Sequence, residues 1–166
     1  MNTIRSGLHK TRYANGPHMV ILVDDIPLDE FLAARFGDQH QLLLGLIPTL
    51  LDSLEDPGER NLTWQRIDPP VSGTTVAPVL MCADDQDFWC VIIVVEVEAT
   101  EDAIIWHRFG YATGAADLAR MPEAVFDTVR WFEPQERLTF TVADYQACLA
   151  QFRKLLSEEA PQDTDS

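Results

Sequence analysis

Carboxylates crowd together at Asp84, Asp85 and Asp87, with only Gln86 between them. Acidic side chains set that close can gather a divalent cation through their oxygens. The stretch lacks the longer loop, the glycine and the distal glutamate of a calcium-binding loop, so a solvated turn is the simpler reading and no metal is expected. Cys82 and Cys90 flank the same stretch. Structural zinc would need further ligands at close spacing, which the chain does not offer, so a buried pair of thiols is expected. His107, between Trp106 and Arg108, could act as a general acid or base, but no serine or cysteine nucleophile motif accompanies it. His9, His18 and His40 are expected in loops or on a polar face. Gly-x-Ser-x-Gly, a glycine-rich phosphate loop and His-Glu-x-x-His are missing, which counts against the commonest enzyme classes. No catalytic residue and no cofactor is assigned.

The elements that position these residues centre on Phe88–Tyr111. Two apolar, β-branched and aromatic runs are separated by an acidic tip, the composition of a long β-hairpin. Trp89–Val95 is apolar on both faces and should be a central strand covered on both sides. Alternation begins at Glu96-Val97-Glu98. Ala77–Ala83 reads as the preceding strand, so an antiparallel meander is expected. Trp64, Trp89, Trp106 and Trp131 read as packing anchors.

Around that meander, Met19–Val23 reads as a buried strand ending in Asp24-Asp25. Pro27–Gly37 reads as a short helix with Leu28, Phe31, Leu32 and Phe36 as its apolar stripe. Leucines and Ile47 recur at helical spacing from Gln39 to about Leu54, with Pro48 as a kink and Asp56-Pro57-Gly58 as the stop. Leu62–Ile67 alternates and reads as a strand. Ala124–Phe132 and Leu138–Val142 read as further strands. Ala143–Leu156 is the clearest helix, with Tyr145, Cys148, Leu149 and Phe152 on one face. The fold class is therefore α+β, a largely antiparallel sheet of about five or six strands packed by two or three helices. Residues 1–18 are read as a flexible N-terminal arm or a short extra strand, 19–156 as a single α+β domain, and 157–166 as an acidic disordered tail.

Charge is the unusual property: 12 Lys and Arg against 27 Asp and Glu, a net of -15. Residues 1–18 contain Arg5, Lys10, Arg12 and no acid, leaving 9 basic residues against 27 acidic ones elsewhere. Such a field repels nucleic acid and anionic membrane and attracts basic proteins. Acids gather at Asp24/Asp25, at Asp84/Asp85/Asp87, at Glu96/Glu98/Glu101/Asp102 and at Glu133/Glu136. In a meander, several of these groups could share one rim. Scattered acids that serve solubility are the alternative. No apolar leader is visible at the start, the apolar run Val91–Val95 is far too short to cross a bilayer, and the odd cysteine count suits a reducing compartment, so a cytoplasmic location is expected.

Leu46–Asp52, Trp64-Gln65-Arg66-Ile67, Ala77–Cys82 with Asp84-Asp85, and Trp106-His107-Arg108-Phe109-Gly110 carry a resemblance, as do Leu138-Thr139-Phe140 followed by Tyr145, Leu149 and Phe152. Over residues 20–156 the chain resembles small acidic bacterial immunity proteins of contact-dependent growth inhibition and related polymorphic toxin systems. The resemblance implies a non-enzymatic cytoplasmic protein that binds one cognate toxin domain and blocks it. A basic nuclease would suit the charge. The partner-binding candidates drawn from charge clustering are Asp84, Asp85, Asp87, Glu96, Glu98, Glu101 and Asp102. A small enzyme using His107 with an acidic partner and a self-associating structural module are the alternatives.

Overall fold

The computed structural model describes residues 1–11, 14, 16–51, 56–83, 92–113, 126 and 128–159 of the 166-residue chain. At its centre is the expected hairpin. Strands β6 (Ile92–Ala99) and β7 (Ala103–Ala112) pair antiparallel, from Ile93 opposite Tyr111 to Ala99 opposite Ile104. Ile92–Val95 are all buried, as a run without polar alternation should be, and Glu96 is the first residue of β6 to reach water. On one side β6 pairs with β5 (Thr74–Met81), which pairs with the short β4 (Ile47–Pro48). On the other side β7 carries β8 (Val129–Trp131) along one end and β9 (Leu138–Thr141) along the other. Together they make one six-stranded antiparallel sheet.

Helix α1 (Leu28–Phe36) forms where its capping signals place it, with Asp29 and Glu30 in the first turn and Arg35 in the last. Leu28, Phe31, Leu32 and Phe36 are buried, as expected. Helix α3 (Val142–Glu159) buries the predicted Tyr145, Cys148, Leu149 and Phe152. Tyr145 and Phe140 meet the Trp106 ring edge-on at centroid distances of 6.1 and 5.1 Å. Trp106 is therefore the core anchor that clamps α3 to the sheet. With α2 (Pro57–Ile67), there are three helices among the described residues, and the chain is an α+β fold.

Several local expectations fail for identifiable reasons. Of the two readings of residues 1–18, the short extra strand holds over residues 4–9 and the flexible arm does not: β1 (Ile4–His9) pairs with β2 (His18–Val23), and β3 (Ile26–Pro27) completes a second, three-stranded sheet. Asp24 (φ 51°) and Asp25 (φ 68°) make the tight turn between β2 and β3, a conformation aspartate tolerates. Over its described residues, 39–51, the expected Gln39–Leu54 helix does not form. Gly45 sits at φ 98°, outside helical space, and Ile47-Pro48 pairs with Met81 and Leu80. Leu43, Leu46, Leu50 and Leu51 are buried all the same. The expected strand Leu62–Ile67 is instead the second half of α2. Asp56 is its N-cap, accepting the Glu59 N–H at 3.0 Å, and Pro57 starts its first turn. Cys82 is not a thiol but is disulfide-bonded. Helix α3 continues to Glu159, past the expected start of the tail, and residues 160–166 lie outside the described residues. So do the stretch 84–91 at the start of the expected hairpin and residues 124, 125 and 127 of the expected strand Ala124–Phe132, of which β8 is the described part.

Candidate functional site

The candidate carboxylates on the hairpin separate into two kinds. Glu96 and Glu98 are two residues apart on β6, so they share a face of the sheet. The register slips between Val95 and Val97, leaving Glu96 alone opposite His107 and Arg108. Such a bulge re-aims consecutive side chains, and here His107 and Arg108 both meet acids on β6. Glu98 Oε1 lies 2.7 Å from His107 Nε2, and Arg108 Nε donates to Glu96 Oε1 at 3.0 Å. The Arg108 guanidinium also stands 3.9 Å over the Trp131 ring. These pairs are about one-third exposed, so each contributes on the order of 1 kcal/mol or less to stability. Their main effect is local: the Arg108 guanidinium offsets the charge of Glu96, and the hydrogen bond with His107 holds Glu98 in place.

Glu101 and Asp102 behave differently. They form the exposed tip of the hairpin, and neither has an ion-pair partner among the described residues. Thr100 makes the tip a defined turn. Its N–H donates to Ala103 O at 2.9 Å, and its hydroxyl oxygen accepts the Ala103 N–H at 2.9 Å. Asp84, Asp85 and Asp87 lie outside the described residues. The structure thus brings Glu96, Glu98, His107 and Arg108 together, and leaves Glu101 and Asp102 as free acids at one end of the same strands.

A carboxylate held against an imidazole is the arrangement of a catalytic base and its orienting group. Here it stands on a sheet face, and the His107 ring makes no other hydrogen bond among the described residues. A cleft elsewhere, between β1 and α3, has a volume of about 420 Å³ and His107 does not line it. Among the described residues no cluster of His, Cys, Asp and Glu is arranged to hold a metal ion, and no helix is long and apolar enough to cross a membrane.

Other titratable groups carry structural loads that the sequence did not reveal. His40 lies in a loop, as expected, while His9 and His18 lie in β1 and β2; the His40 ring packs 4.6 Å from Tyr111 and 6.4 Å from Phe132. Burial, and then Arg130, hold its pKa below the ordinary 6.5. His18 bridges the Thr11 hydroxyl and the Met19 carbonyl, each at 3.0 Å, and His9 pairs with Glu30 at 3.2 Å. Asp29 is buried and accepts the Gly45 N–H at 2.9 Å, and burial raises its pKa. Its position in a first turn signalled only a complement to the helix dipole. The Gly45 partner, on a separate turn, left no local signal. Trp64 and Trp131 are partly buried, and Arg153 and Arg108 cover their rings.

No protein-family model matches the chain, and neither the curated proteins nor the solved structures contain a match.

Proposed function

We propose that this chain is a non-enzymatic bacterial immunity protein that binds a basic toxin domain, a nuclease being the natural candidate, and occludes it in the cytoplasm. The observation that carries this reading is how the charge is disposed. Acids outnumber Lys and Arg by 27 to 12. Four of the 12 cations are engaged at home: Arg5 with Asp25, Arg35 with Glu136, Arg108 with Glu96 and Arg153 with Asp68. The surplus charge offered to a partner is acid, with Glu101 and Asp102 held at a defined tip. A surface of that kind accelerates encounter with a basic protein and repels nucleic acid. A nuclease must present a basic cleft to phosphate, and a protein carrying acids into that cleft excludes the substrate. The resemblance to immunity proteins supports the same reading.

The test is co-expression with a polymorphic-toxin C-terminal domain encoded immediately upstream, reading co-purification and host survival together. A stable complex with rescued growth is the expected result. A neighbour that is toxic, is not bound and is not rescued overturns the proposal. A second reading, acid–base catalysis at His107, draws on the 2.7 Å contact with Glu98. It is separated by His107→Ala, which should leave complex formation and rescue intact if the protein acts by binding. The Cys82 disulfide is the feature least suited to a reducing compartment. Fractionation of the native host therefore belongs beside the binding test.

A further inference from the structure

We draw no further inference here: the strongest candidate, the half-exposed face of the six-stranded sheet on which Glu96, Glu98, His107 and Arg108 stand beside Trp131, belongs to the site already described, and nothing in the structure shows what covers it.

Discussion

Asp29 shows how one buried acid can organise a segment with no regular structure. It is 3% exposed and fixes the Gly45 N–H, which is itself buried at a positive φ. Asp29→Ala would strand that N–H without an acceptor and should cost about 1–3 kcal/mol in urea unfolding at neutral pH. Asp29→Asn keeps an acceptor oxygen and removes the buried charge, so it should cost less. The pH dependence follows from the direction of the shift. Burial raises the Asp29 pKa above 3.8, so its contribution is fully present below that value and is lost as pH rises through the folded pKa. Asp29→Asn should remove that slope. His40 works with the opposite sign. Its pKa is depressed below 6.5, so its contribution is present above 6.5 and is lost as pH falls through the folded value. Its Nδ1 also accepts the Leu42 N–H at 3.2 Å, which a proton would block. His40→Gln should flatten unfolding free energy against pH just below 6.5. Cys148 has its pKa pushed up to about 12 by burial. It should resist alkylation in the native protein and react on unfolding. With Cys82 oxidised, intact mass spectrometry of the denatured, unreduced chain should show one adduct among its three cysteines; three adducts would mean that the disulfide is absent.

At the scale of elements, the interrupted edge of β7 depends on one close approach. A Cβ built on Gly110 would come within 2.7 Å of Val129 Cγ1 and 2.9 Å of Arg130 O. The second atom is backbone and cannot turn aside. Gly110→Ala should therefore push β8 off β7 and cost on the order of 1–3 kcal/mol, read as a lower unfolding midpoint with faster amide exchange at Val129–Trp131. The elements legible in the sequence were those in which one local signal dominates: the β6–β7 hairpin from its apolar run, α1 from its caps and α3 from its stripe. Two of the misread segments share one cause. Asp56-Pro57-Gly58 stops a helix and starts one with equal propriety, and reading it as a stop assigned the leucines before it to a helix and Leu62–Ile67 after it to a strand. Burial of Glu59, Thr63 and Ile67 reveals the true period, but two of those residues are polar and left no hydrophobic trace. The candidate site was half legible. Glu96, Glu98, His107 and Arg108 were visible as residue types, whereas the bulge that pairs them depends on cross-strand register, which no local pattern encodes.

For the whole molecule, what matters is which acids remain available once the internal pairs are made. Long-range attraction between the -15 body and a basic partner depends on total charge and is screened over about 8 Å at physiological salt. Orientation of the encounter depends on local, uncompensated acids. The structure ranks these. Glu101 and Asp102 are exposed at the tip without ion partners among the described residues, whereas Glu96 and Glu98 face Arg108 and His107. Stopped-flow association with the cognate toxin should therefore respond unequally. Glu101→Lys with Asp102→Lys should lower the association rate about tenfold at low salt and change dissociation little. Glu96→Gln with Glu98→Gln should have a smaller effect on encounter, because each change removes one charge rather than reversing it and both side chains are only about one-third exposed. Asp84, Asp85 and Asp87 changed together to Asn make the third arm, and an association rate equal to wild type would remove that group from the interface. A graded response identifies the tip as the steering surface. Equal small effects from every set would mean that the acids act only through net charge, and the interface would then have to be sought in apolar contacts.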